Sequence, residues 1–286
     1  MAVVHIAPMN YRHAYHAGNF ADVVKHAILS LVLEHLRKKE TPFCVVDTHA
    51  GVGCYDLKGA EAEKTGECQE GIVRLLNGPP LPATLDGYLS ALRKVNPDWP
   101  QLRYYPGSPC IAHALMRPND RLALVELHPE DARALKRVFI GDSRVGVHAG
   151  DAYLALKALL PPKERRGLVL IDPPFEVTDE FQRIAKGLAQ ALRRWPTGIY
   201  GIWYPIKAPE PVERFLGEIV NLGRPCFTVE LFRHPPDDPS RLNGSGLLLV
   251  NPPWMLDEAL ALLLPTLADR LGATGASGVR WLLREA

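Results

Sequence analysis

The sequence predicts an α/β protein with one Rossmann-like sheet of seven strands, mostly parallel, and a small helical insertion. Seven apolar segments recur along the 286 residues, several of them apolar throughout, as strands covered on both faces must be. Helical patterns separate most of them. Several of the segments run directly into an acid or a glycine loop, which is where open parallel sheets bind ligands.

Residues 19–39 begin the regular structure as a helix. Asn19 is a cap with Asp22 three residues on, Val24, Ala27, Ile28, Leu31 and Val32 recur at helical spacing, and Arg37, Lys38 and Lys39 suit the C-terminal end. The strands follow at 43–53, 121–129, 145–152, 168–175, 198–206, 226–232 and 245–253, with helices such as 179–194 and 209–222 between them. Only "RHPPDDPSRLNG" joins the last two, so they are expected to form an antiparallel hairpin at the sheet's edge. Seven strands with one reversed is the plan of a class I methyltransferase. The whole chain, 1–286, reads as a single domain, and residues 58–106 as a helical insertion that either covers the site or merely decorates the fold.

Composition narrows the function. A hydrophobic fraction of 47% is ample for a core, and a formal net charge of +1 argues against a basic nucleic-acid coat while leaving room for a local basic face. Five cysteines with no CxxC spacing read as reduced thiols of a cytoplasmic protein, and no metal site is expected. No run of 18 apolar residues appears, so no membrane partner is expected. Met9 stands directly before "NYRHAYHAGN" and is an alternative start to Met1.

The chemistry concentrates at strand ends. "GLVLIDPPFEV" stops an apolar strand at Asp172-Pro173-Pro174-Phe175, because proline cannot donate to the ladder. What remains is a carboxylate, bare carbonyls and a ring. Asp172 and the Pro173 carbonyl could accept both hydrogens of an adenine's exocyclic amine, and Phe175 could stack on the base. Prolines can also simply end strands, and the "NPPW" copy at Asn251–Trp254 is read as structural. The loop Asp47–Gly53 carries glycines that permit close approach of a ligand. It lacks the third glycine of a dinucleotide fingerprint, since that position is Asp56. Glu126 suits the ribose hydroxyls of an adenosine-containing cofactor or is a surface glutamate; Asp151 suits its adenine. Ser108 is read as the cap of a helix with Pro109 at its first position. Lys25 and His26 share one turn of the first helix and could be its solvated side.

Several blocks together resemble the RlmJ family, which methylates N6 of a specific adenine in 23S ribosomal RNA with S-adenosyl-L-methionine. They are "YRHAYHAGNFADVVKH", "DTHAGVGCYDL", "LRYYPGSP", "ELHP", "RRGLVLIDPPFE", "TGIYGIWYPI" and "SGLLLVNPPW". The resemblance implies cofactor contacts at His26, His49, Ser108, Glu126, Asp151, Ala152 and Asp172, with Asp172 also the catalytic acid. It implies a substrate contact at Tyr11, for which nothing but the resemblance speaks, beside those read above for Pro173 and Phe175. Phenylalanine stands at 175 where tyrosine is usual, and alanine at 152 where glycine is expected. The partner is then 23S rRNA, approached by a monomer through Arg12, His13, His16, Lys25, Arg165 and Arg166 with a modest salt dependence. The alternatives are a DNA adenine-N6 methyltransferase and a non-catalytic RNA-binding assembly factor.

Overall fold

A computed structural model describes residues 11–284, so both alternative starts, Met1 and Met9, lie outside the described residues. In chain order the strands are β1 Cys44–Asp47, β2 Cys54–Asp56, β3 Tyr104–Pro106, β4 Arg121–Glu126 and β5 Val145–Ala149. Then come β6 Gly167–Ile171, β7 Ile199–Ile206, β8 Cys226–Phe232, β9 Gly244–Val250 and β10 Ser277–Leu283. The helices are α1 Phe20–Arg37, α2 Ala60–Thr65, α3 Arg74–Leu76, α4 Asp86–Val95 and α5 Ser108–Leu115. They continue as α6 Pro129–Val138, α7 Ala152–Leu159, α8 Glu180–Arg194, α9 Pro209–Val220 and α10 Leu256–Leu271.

Eight strands form the main sheet, in the order β10-β8-β9-β7-β6-β1-β4-β5. The expected seven are all present; β7 and β8 end where expected, and the other five end a few residues short because the loop residues leave the ladder. The eighth, β10, escaped notice because its exposed and half-buried residues alternate instead of forming an apolar run. β8 and β9 are antiparallel as expected, but they are not the edge: β9 lies between β7 and β8, and β10 covers the outer side of β8. The parallel set β5, β4, β1, β6, β7 starts at one level, since Cys44 aligns with Arg121 and Gly167, Leu122 with Val145, and Leu168 with Ile199.

The sheet separates two apolar layers. β1 shows how: Val45 faces the layer of α1, α4, α5 and α10, while Cys44 and Val46 face that of α7, α8 and α9. α1 is buried along nearly its whole length, which its apolar spacing predicts, and Asn19 caps it by accepting from the Asp22 amide at 2.9 Å. The segment between β2 and β3 is largely helical; these two strands pair antiparallel and close its ends. Ile72, Leu75, Leu85 and Tyr88 from that segment share the core of α1.

Candidate active site

The C-terminal ends of β1, β4 and β6 bring the predicted residues to one place. β6 stops at Ile171 and Asp172 follows outside the ladder, as the prolines require. Its carboxylate is held by Lys25 of α1, whose Nζ lies 2.5 Å from Oδ2. Lys25 is only 4% exposed and also meets Asp22 at 2.9 Å. Burial alone would depress its ammonium, but the Asp172 and Asp22 carboxylates hold it above the ordinary lysine value. Burial would likewise raise Asp22, yet His13 and Lys25 keep it well below the usual carboxylate range. The array continues from Asp22 to His13 Nε2 at 2.9 Å and from His13 Nδ1 to the Tyr11 hydroxyl at 2.8 Å. The Tyr11 amide donates to Glu176 at 2.5 Å, immediately after Phe175. Tyr11, which sequence reasoning could not place without the resemblance, thus sits against the Asp172 motif, and burial keeps its phenol protonated.

Phe175 has φ 51°, a left-handed conformation unusual for a bulky residue. Its ring meets Phe181 edge-on at 5.0 Å and Trp203 at 5.8 Å, and Lys25 Nζ lies 5.7 Å from the Trp203 ring. Phe181 and Trp203 are site residues the sequence did not reveal; "GIYGIWYPI" is conspicuous only as a strand. Lys25 and Asp22 were equally hidden, because on a helix a buried charge reads as a solvated face.

Beside the motif, the glycine loop leaves β1 and passes over the end of β4, where the Ala50 amide donates to the Val125 carbonyl at 2.9 Å. Glu126 accepts from the Gly51 amide and the His128 amide, both at 2.8 Å, and burial raises its carboxyl against the effect of those two bonds. Gly51 is required by its own chain: it has φ 59°, and a Cβ there would fall 2.3 Å from the Tyr55 hydroxyl. His49 Nδ1 lies 2.9 Å from the Thr48 hydroxyl and accepts from the Asp172 amide at 3.3 Å, tying the loop to the motif. Burial lowers His49 to about 3, so its ring is neutral. His26 is buried beside the array rather than in it; its Nδ1 meets the Tyr105 hydroxyl at 2.7 Å, and burial brings it to about 3 as well.

Asp47, at the end of β1, is the unassigned member of the group. It is 1% exposed; Oδ1 accepts from the His49 amide at 3.2 Å, while Oδ2 has no hydrogen-bond partner among the described residues. Burial raises the carboxyl to about 7, the nearby Ser108 hydroxyl opposing that rise. Ser108 is the first residue of α5 and Gly107 is the cap, so the predicted capping role of Ser108 is corrected and its hydroxyl is left to Asp47. Asp151 caps α7 by accepting from the Leu154 amide at 2.9 Å, and Ala152 opens that helix, buried, beside the end of β5.

The expected cationic rim is not free. Arg12 is paired with Asp131 at 2.8 Å and Glu130 at 3.4 Å, His16 with Glu67 at 2.8 Å, and His13 and Lys25 belong to the array just described. Arg165 and Arg166 lie before β6, at the opposite edge of the sheet.

A family model described as "Ribosomal RNA large subunit methyltransferase D, RlmJ" matches residues 40–283. The chain belongs to this RlmJ family. It is 43% identical over 280 residues to the ribosomal RNA large subunit methyltransferase J of Escherichia coli, covering 97% of this chain and 100% of that protein. The counterpart from Haemophilus influenzae is 42% identical over the same length, with the same coverage. A solved structure of a Legionella pneumophila protein superimposes with a TM-score of 0.85 at 36% identity, covering 93% of this chain and 97% of that one. The RlmJ fold is that of class I S-adenosylmethionine-dependent methyltransferases, carried here on eight strands.

Proposed function

We propose that this protein transfers a methyl group from S-adenosyl-L-methionine to N6 of a specific adenine in 23S ribosomal RNA, acting as a cytoplasmic monomer. The observation that carries the reading is the Asp172 carboxylate, fixed by Lys25 and followed by Pro173 and Phe175 at the C-terminal end of β6.

The donor set suits the cofactor. Asp47 Oδ2, buried and without a hydrogen-bond partner among the described residues, is a place for a cationic amino group, with Ser108 beside it. Glu126, fixed by two backbone amides, keeps lone pairs for ribose hydroxyls. Asp151 and Ala152 border the space for the adenine, with His49 on the side of Asp172. When bound, the cofactor supplies an electrophilic methyl on a sulfonium.

The residues of the chain act by positioning and electrostatics. Adenine N6 is a weak nucleophile because its lone pair is delocalised into the ring. Asp172 and the Pro173 carbonyl accept its two N–H hydrogens and favour a pyramidal nitrogen, with Asp172 the route for the departing proton. Lys25 holds the Asp172 carboxyl in place through its contact with Oδ2. Phe175 stacks the base, held edge-on by Phe181 and Trp203; stacking contributes about 1–3 kcal/mol. The base must leave its own stack to enter, and Tyr11 stands beside the motif to meet it.

The test is mass spectrometry of nucleosides from unmodified 23S rRNA incubated with enzyme and labelled cofactor. Label is expected in N6-methyladenosine, and Asp172→Asn is expected to lose at least about a thousandfold in rate while keeping its fold. Turnover near that of the wild type in the variant sinks the assignment. Preference for DNA in a competition assay would favour the DNA enzyme instead, and failure to bind the cofactor by calorimetry would favour an assembly factor.

A further inference from the structure

The edge of the sheet opposite the candidate site carries the charge that the site lacks. Six connections lead into β1, β4, β5, β6, β7 and β8 at that edge, as the aligned starts Cys44, Arg121, Val145, Gly167, Ile199 and Cys226 show. Together with the starting residue Arg121, the segments 37–43, 116–121, 138–145, 160–167, 193–198 and 221–226 hold twelve Lys and Arg against four Asp and Glu. That is an excess of eight positive charges in a chain whose total is +1, so everything else is net negative.

Some of this excess has a structural use. Arg166 and Arg117 donate to the carbonyls of Leu36 in the last turn of α1 and of Lys39 and Thr41 after it, Arg121 pairs with Glu164, and Arg144 with Asp142. Six helix C-termini also point here, each worth about half a negative charge. Together they offset roughly three of the eight. Arg37, Lys38, Lys39, Lys163, Arg165 and Arg193 are exposed and form no ion pair among the described residues.

An aromatic ring stands at the same edge. β9 runs antiparallel, so it ends where the parallel strands begin, with Val250 opposite Tyr200 and Cys226. Asn251 then fastens the "NPPW" turn, its side-chain amide donating to the Pro196 and Gly198 carbonyls at 2.9 and 2.8 Å and its own amide to the Pro225 carbonyl at 2.9 Å. The structural reading of this motif holds for Asn251. It does not explain Trp254, which is 82% exposed, close in sequence to a turn pinned between the Arg193–Arg194 and Arg224 connections.

We infer that this rear edge is a second RNA-contact surface, where the cations hold the phosphate backbone of a segment remote from the target adenine and Trp254 stacks an unpaired base. The inference rests on the proposed RNA substrate. Two features favour RNA over an acidic protein. Arg12, His13, His16 and Lys25, the cations expected at the catalytic site, are each paired with a carboxylate, so the denser positive charge lies at this edge. An exposed flat ring on an edge rich in cations is also the combination that binds unpaired bases without reading sequence. α1 runs from one edge to the other over 18 residues, about 27 Å, so an RNA that meets both surfaces must extend at least that far from the target adenine.

The test compares Lys38→Glu/Lys39→Glu/Lys163→Glu/Arg165→Glu and Trp254→Ala with the wild type on two probes. One is the full-length 23S rRNA transcript and the other a short hairpin carrying the methylated adenine. The quadruple variant is expected to bind the transcript about tenfold more weakly with a shallower salt dependence, and Trp254→Ala to bind it severalfold more weakly. Methylation of the hairpin should be unchanged in both. Undiminished affinity for the transcript overturns the inference, including where binding to intact ribosomal particles falls, which would point to a protein partner. Loss of transcript affinity with neither probe methylated by any of the proteins upholds the surface and removes the proposed reaction instead.

Discussion

Among single residues, Asp172, Glu126 and the glycine loop were legible because strand ends advertise them: an apolar run stops abruptly at a polar group or a glycine. Lys25, Asp22 and Asp47 were not. Their neighbours come from other elements, and nothing in a helical stretch distinguishes a buried lysine from a solvated one. Asp47 gives a pH prediction. Its carboxyl is raised to about 7 in the folded protein, so it favours the fold at low pH, and that contribution is lost as pH rises through about 7. A cationic amino group placed against Oδ2 would lower it again, so cofactor binding expels a proton below pH 7. Affinity for S-adenosylmethionine is therefore expected to fall as pH drops from about 7 to 5, by up to tenfold per unit, and to be nearly flat in Asp47→Asn. Calorimetry in buffers of different ionisation enthalpy reads the proton directly. Equal pH profiles for the two proteins would remove Asp47 from the cofactor site.

At the level of elements, the candidate site depends on how the segment before α1 is held. His13 and Tyr11 reach the Asp172 motif only because the chain around Gly18 is clamped by the π-turn Gln69–Val73. Ile72 donates its amide to the Gly18 carbonyl at 2.8 Å. Gly71 makes that approach possible, since a Cβ there would lie 2.0 Å from the Gly18 oxygen and 2.5 Å from the Asn19 carbonyl carbon. Both are backbone atoms and cannot swing aside. Gly71→Ala is expected to destabilise the protein by about 2 kcal/mol or more in denaturant unfolding, through displacement of the turn. It should reduce methyl transfer more than cofactor affinity, because His13 and Tyr11 move while Asp47 and Glu126 stay. A midpoint within experimental error of the wild type would show that the clamp yields freely. Periodicity predicted helices in this region; no sequence pattern announces an interlock of two loops, since a glycine reads as a turn whatever it touches.

Across the whole molecule, the order of strands separates the parts that do chemistry from those that close the fold. The parallel half was legible from its continuous apolar runs. β10 was not, because an edge strand with one face toward solvent has only alternation to show, and its register is set by β8. Its sequence still has clear contacts there: Trp281 packs on Phe227 at 5.1 Å and donates to Asp257 at 2.8 Å, and Arg280 pairs with Glu213 at 2.7 Å. Removing residues 277–286 would bare the ladder groups of β8 and the ring of Phe227, leaving an open apolar edge able to pair with other chains. The truncated protein is expected to unfold at a lower temperature and to aggregate at concentrations where the full chain does not, as read by thermal unfolding and light scattering. β10 lies four strands from β6 in the sheet, so the soluble fraction should methylate RNA at nearly the full rate per folded molecule. An unchanged melting temperature and a monodisperse sample would mean that the β8 edge is protected without β10. Soluble, folded but inactive protein would mean that the far edge and the pocket are coupled across the sheet.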